Sequence, residues 1–384
     1  MSSATARLLG AVRRTNAALF EGRSTLQQGV VVVALLFAVG LTAAGLLFPS
    51  TDAGRLFTVL TADSTLAATL RLSVPIAFAA LGGIFAEKAG VINIGLEGLL
   101  IISAFAGIYA VDMTGSVWIG LFGGVVASTL LAALFAVVCI EFKADQIIAG
   151  LAVWLIALGL APFASTVIYG GKTSTSVTTL RTLPNMNIPV LSDLLVTDIP
   201  VVDFALVDIP FFGALFDANP TVYLMFVAVA LSWYTLNRTA FGRWVRASGE
   251  NPKALDTAGV DVHRVRYAAV LLSGVLSGVG GAALALGIGQ FTGSGPTMVN
   301  GKGFIAIVAY LFGNYNPIGA FLSTMLFAGL DATQLTLQAR DVFQVPRPLV
   351  RTVPYITVIV VLALFGRTRT PDAAGDPYES GEGE

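Results

Sequence analysis

The sequence predicts an all-α polytopic membrane protein of about ten transmembrane helices, and three observations carry that reading. Of its 384 residues 55% are hydrophobic and only 12% are charged, where soluble domains carry roughly a quarter. Apolar runs of near-spanning length recur from residue 29 almost to the end. Lys and Arg collect in some of the segments between them, as orientation by positive charge requires.

The first run, Gly29 to Phe48, is uncharged and follows a basic leader, residues 1–28, with Arg7, Arg13, Arg14 and Arg23. It is long enough to span and about twice the length of a signal-peptide core, so it reads as a retained helix. Further spans follow at 66–85, 96–111, 117–140, 146–169, 220–236, 267–291, 303–313, 317–334 and 353–365. Segments 96–111 and 303–313 are short. They read as broken or re-entrant pieces, which exist at membrane depth only inside protein or beside a water-filled cavity. Gly120 and Gly124, and Gly274 and Gly278, have the small-xxx-small spacing of packing faces.

The basic leader places the N-terminus in the cytoplasm. Arg238, Arg243, Arg246, Lys253, Arg264 and Arg266 place the loop 237–266 there too. The loop 170–219 carries Asp193, Asp198, Asp203, Asp208 and Asp217 and suits the outside. Ten spans from an inside start put the C-terminus inside as well, and put Lys302 in an outer loop. The transmembrane domain is thus 29–366. The tail 367–384 is acidic, Gly-rich and poor in apolar residues, and is expected to be disordered.

Several functions are excluded. Cys139 and His263 are the only residues of their types. Zinc catalysis and Ser-His-Asp chemistry are therefore not expected, and no metal site is assigned. No Gly-rich loop ends in Lys-Ser/Thr, so the chain has no ATP site of its own and is not read as an enzyme. A net charge of −1 argues against nucleic acid as partner.

Two regions break the apolar pattern. Glu87-Lys88-Ala89-Gly90-Val91-Ile92-Asn93-Ile94-Gly95-Leu96-Glu97-Gly98 places charges, an amide and glycines between two spans, where such groups are costly. Asn93 and Glu97, at i and i+4, share a helix face. They suit either a translocation path, with Asn93 offering hydrogen bonds and Glu97 lining a cavity, or a polar clamp in which Glu97 pairs with Lys88 or Arg71. The second region is Gly249-Glu250-Asn251-Pro252-Lys253-Ala254-Leu255-Asp256-Thr257-Ala258-Gly259. Asn251 suits an N-cap, Pro252 the first helical position and Gly259 the left-handed position after the end. This short capped helix is either a docking knob or a solvated turn. Further path candidates are Gln146, beside an expected N-cap at Asp145, Trp154, which could stack on a base or pack in the core, and Gln290 and Asn300, near outer ends of spans.

The stretch Phe85 to Gly98 resembles the signature of permease subunits of type II ABC importers, in the branch that carries branched-chain amino acids, simple sugars and nucleosides. Phe142 to Gly150, Ile188 to Asp193, Phe241-Gly242-Arg243 with Gly249 to Pro252, Asp256 to Val260, Gly303 to Ala306 and Phe312 to Ala320 are similar to nucleoside permeases and occur in family order over roughly 65–370. The span 29–48 and its leader look like an N-terminal addition, resembling the longer of two paired permeases. The resemblance implies the type II importer permease fold in the cell membrane and one pore-forming half of a nucleoside importer. It implies a second permease as partner in a heterodimer, separate ATP-binding subunits that hold ATP and magnesium, and an extracytoplasmic binding lipoprotein. Gly249, Glu250, Asn251, Pro252, Lys253, Ala254, Asp256 and Gly259 would then form the coupling helix seated on an ATPase. The alternatives are a sugar or branched-chain amino acid permease, or a secondary transporter with Glu97 as proton carrier.

Overall fold

Short polar stretches between the apolar runs decide where each helix starts and stops. The computed structural model describes residues 39–183, 212–295, 297–339 and 369–379, with Leu36 and Ile209. These belong to two units, Met1–Ala62 with Thr333–Arg367, and Asp63–Ala332 with Thr368–Glu384. In the first unit residues 39–47 are helical, followed by α1 (Asp52–Leu60). The Thr51 hydroxyl accepts from the Gly54 N–H at 3.2 Å and caps α1. The leader 1–28, the first part of the first span, much of the loop 170–219 and the predicted span 353–365 lie outside the described residues.

The second unit holds α2 (Asp63–Lys88), α3 (Leu96–Thr114), α4 (Val117–Ala136, continued by a π turn Val137–Glu141) and α5 (Gln146–Tyr169). After these come α6 (Pro220–Arg238), α7 (Ala240–Glu250), α8 (Pro252–Thr257), α9 (Val262–Ile288) and α10 (Lys302–Phe312). Helix α11 (Pro317–Ala339) starts in the second unit and ends in the first. Among the described residues six helices are long and apolar enough to cross a membrane: α2, α3, α4 with its π turn, α5, α9 and α11. Helix α6 matches the expected span 220–236 but is not one of the six.

Helix α10 has 11 residues, the short piece expected at 303–313. The expectation of a broken piece at 96–111 is corrected: α3 is a regular helix of 19 residues. The apolar run stops at Asp112, but the helix continues to Gly115, whose φ of +72° ends it. The Asp112 carboxylate is accommodated by accepting from the Tyr169 hydroxyl at 3.3 Å.

Helix α9 is the central element and packs most extensively on α4, α2 and α3. Close approach depends on missing side chains. A Cβ on Gly274 would lie 2.5 Å from the Ala132 Cβ, and one on Gly278 would lie 2.7 Å from the Val125 Cα. One on Gly124 would lie 2.8 Å from the Ser103 carbonyl oxygen. At these contacts serines bond across helices. Ser128 Oγ donates to the Gly274 carbonyl at 2.8 Å, and Ser103 Oγ donates to that of Gly278. The glycine spacings are therefore packing faces, as the sequence indicates. Gly278→Val should destabilise the bundle by about 1–3 kcal/mol, seen as a lower thermal midpoint in detergent. Gly287→Ala, where nothing lies within 4 Å, should not lower it.

Within the tail, residues 369–379 have a described path. Residues 369–379 are not free; they lie against the end of the second unit that carries α7 and α8. The Ala373 N–H donates to the Gly249 carbonyl at 2.8 Å and the Gly375 N–H to that of Gly90 at 3.1 Å. A run of turns over 372–375, with Gly375 at φ +90°, makes this path possible. Backbone hydrogen bonds and one buried tyrosine, Tyr378, supply what the polar composition hides.

Candidate functional site

The polar stretch after α2 leaves the helix through a left-handed Gly90, φ +92°, and enters α3 at Gly95. Each of its polar side chains has a partner inside the bundle. Asn93 is 1% exposed; its Oδ1 accepts from the Gly95 N–H at 3.1 Å and its Nδ2 donates to Ser273 Oγ of α9, also at 3.1 Å. Glu97 Oε1 accepts from the Gly301 N–H at 2.7 Å, and Oε2 from the Gly303 N–H at 2.6 Å. Glu87 accepts from the Tyr310 hydroxyl through Oε1 and from the Tyr315 hydroxyl at 2.7 Å through Oε2.

These bonds converge on α10. Glu97 holds its N-terminus and Glu87 its C-terminal end. A carboxylate at a helix N-terminus meets two orphan N–H groups and the positive end of the dipole. The fit is tight, because a Cβ on Gly303 would lie 2.4 Å from the Glu97 Cα. Glu97 therefore pairs with backbone of α10, not with Lys88 or Arg71. Lys302, expected in an outer loop, is instead buried at the first position of α10, with Nζ donating to the Val299 carbonyl at 3.3 Å. Its charge sits in the fields of Glu97 and Asp331.

Of the path candidates, Asn93, Glu97, Gln146, Trp154 and Asn300 come together where α3, α5 and α10 meet. Asp145 caps α5, one carboxylate oxygen accepting from the N–H groups of Ile147 and Ile148 at 2.9 Å each. Gln146 Oε1 accepts from the Ile92 N–H at 2.6 Å. Trp154 meets Phe304 of α10 edge to face at 5.4 Å. Asn300, exposed and at φ +49°, precedes the Glu97-bound Gly301. Gln290 stands apart, just beyond the far end of α9. Thr292, two residues beyond Gln290, pairs with Thr173. Arg71, near the start of α2, lines a 230 Å³ cavity with Thr182, Asp217 and Asn219.

The α7–α8 segment has the expected ends. Thr239 caps α7, accepting from the Gly242 N–H at 3.1 Å. Asn251 Oδ1 accepts from the Ala254 N–H at 3.0 Å, Pro252 is the first helical residue, and Gly259 has φ +78°. Leu255 is the buried residue of α8, whereas Lys253, Ala254 and Thr257 are exposed. Gly249 sits on the chain after α2, where a Cβ would lie 2.4 Å from the Lys88 carbonyl oxygen. Ser248 Oγ donates to the Ala89 carbonyl at 2.8 Å. The sequence did not point to Ser248, Ser273, Tyr310 or Tyr315. The two tyrosines flanking Gly313-Asn314 were the one available signal, and nothing in the sequence paired them with Glu87.

A family model for the permease component of the branched-chain amino acid transport system matches residues 65–362. The chain belongs to that family. It is 36% identical over 318 residues to a nucleoside ABC transporter permease of Lactococcus lactis subsp. cremoris, covering 80% of this chain and 93% of that one. It is also 36% identical over 327 residues to a guanosine ABC transporter permease of Bacillus subtilis, covering 82% and 96%. It is 32% identical over 320 residues to a putative glucose ABC transporter permease of Haloferax volcanii, covering 79% and 91%. No solved structure matches the chain. As a permease of this family with six long apolar helices among the described residues, it is a multi-pass membrane protein.

Proposed function

We propose that this permease is the translocating subunit of an ABC importer that brings nucleosides into the cell. The observation that carries the reading is the 36% identity, over about four fifths of the chain, to permeases whose names specify nucleoside and guanosine. The capped α8, with its outward face exposed and one leucine anchored beneath, supports its role as coupling helix for a separate ATP-binding subunit. The polar groups where α3, α5 and α10 meet supply the exposed Asn300 and the Trp154 ring as path-lining candidates. Asn93, Glu97 and Gln146 position these helices. We take the assembly to include a second, different permease and an external binding lipoprotein, ATP and magnesium to lie on the ATPase, and the topology to be ten spans with both termini cytoplasmic.

Sugar transport is the second reading, supported by the 32% identity to the putative glucose permease. A proton-carrying role for Glu97 is disfavoured, because both its carboxylate oxygens hold backbone N–H groups of α10. The test is ATP hydrolysis by the reconstituted complex, with the binding protein presented with guanosine, adenosine, uridine, ribose, glucose or leucine in turn. Stimulation by nucleosides is the expected result. Stimulation by glucose or ribose alone would move the assignment to sugars, and stimulation by leucine alone would overturn it.

A further inference from the structure

Helix α8 is six residues long and packs chiefly on its chain neighbours α7 and α9. A helix this short does not hold its shape by its own hydrogen bonds. If it transmits force, something must hold it to the rest of the bundle, and residues 369–379 are placed to do that.

The segment runs past three separate turns at one end of the second unit. Near its start the Arg369 N–H donates to Asn314 Oδ1 at 3.2 Å. Ala373 and Gly375 then bond the carbonyls of Gly249, at the end of α7, and Gly90, between α2 and α3. The buried Arg266 of α9 donates from Nη1 to the Asp376 carbonyl at 2.8 Å. Tyr378 is 7% exposed, lies 5.9 Å from the His263 ring and is hydrogen-bonded to Asp256 of α8. Glu379 forms an ion pair with Lys143, in the turn between α4 and α5. One stretch of chain thus links α8 to the turns after α2 and α4. The exposed Lys253, Ala254 and Thr257 remain uncovered. The segment lies beyond residues 65–362, where the family model matches.

We propose that residues 369–379 are a strap that fixes the coupling helix to the loop end of the bundle, so that movement imposed on α8 reaches the turns at Gly90 and Lys143. The proposal rests on α8 being the coupling helix. The strap buttresses α8 from the side and leaves its docking face open. It therefore strengthens coupling; it does not inhibit it.

Two variants test this: a chain ending at Arg367, and the full-length Ala373→Pro, which removes the donor to Gly249. The first measurement is amide hydrogen exchange of 254–260 in the isolated subunit, which needs no ATPase. Both variants should exchange about tenfold faster there than the parent, with α3 and α4 unchanged. The second is nucleoside uptake by the reconstituted complex, which should fall about fivefold or more. Unchanged exchange in 254–260 overturns the strap. Faster exchange with uptake unchanged or raised overturns its part in coupling. Failure of the parent chain itself to bind any ATP-binding subunit would instead count against the function proposed above, and the exchange result would stand apart from it.

Discussion

Glu97→Gln should cost about 1.5–3 kcal/mol of stability, the range for losing a buried hydrogen bond to a charged group. The Gly301 and Gly303 N–H groups each donate to a different carboxylate oxygen, at 2.7 and 2.6 Å. Glutamine keeps one acceptor and turns the other into a donor, so one bond becomes a donor–donor contact. Hydrogen bonds to charged groups are worth about 1.5–3 kcal/mol each, and an unmade one leaves a buried donor without a partner. The substitution also removes the negative charge opposite the α10 dipole. The expected result is a clearly lower thermal midpoint in detergent, with uptake lost. Glu97→Asp keeps the charge with a shorter reach and should fall between. A Gln variant with parental midpoint and uptake would show that Glu97 does not anchor α10.

Leu255→Asp should uncouple the transporter while leaving the bundle folded. Leu255 is 5% exposed and is the buried residue of α8. A carboxylate at that position must either be buried unpaired, at a cost of several kcal/mol, or lift the helix off its seat. Six helical residues cannot offset that cost. Substrate-stimulated ATP hydrolysis and uptake should both fall about tenfold or more, with the thermal midpoint of the subunit close to that of the parent. Full activity in this variant would mean that α8 does not carry the signal from the ATPase.

These two sites were legible in the sequence to different degrees. The α8 segment was almost fully readable, because a cap, a first-turn proline and a terminal glycine act within a few residues of each other. Most of the long apolar helices among the described residues were readable for the same local reason, as were the glycine faces of α4 and α9. The extent of α3 was not, since the run is interrupted at Asp112 and the hydroxyl that donates to its carboxylate comes from Tyr169 of α5. Glu97 drew attention as a charge in an apolar setting, yet its partners lie more than two hundred residues away at Gly301 and Gly303. Asn300 and Gln290 looked equivalent, being close together in the chain. Asn300 lies at the Glu97 end, next to Gly301, and Gln290 just beyond the end of α9. The tail failed the compositional test for order because backbone hydrogen bonds to Gly249 and Gly90 leave no trace in side-chain polarity.

By itself the sequence determined the membrane class, most of the long apolar helices among the described residues, the family and the capped helix at 252–257. All of these follow from local rules: apolar length against bilayer thickness, capping chemistry, and the signature carried by Glu87 to Gly98. Only the tertiary structure decided what that signature does. It places one carboxylate at each end of α10, fastens Asn93 to Ser273 and lays residues 369–379 beside α8. The physical reason is that an unsatisfied polar group inside an apolar bundle must find a partner, and a sequence states the need without naming the residue that meets it.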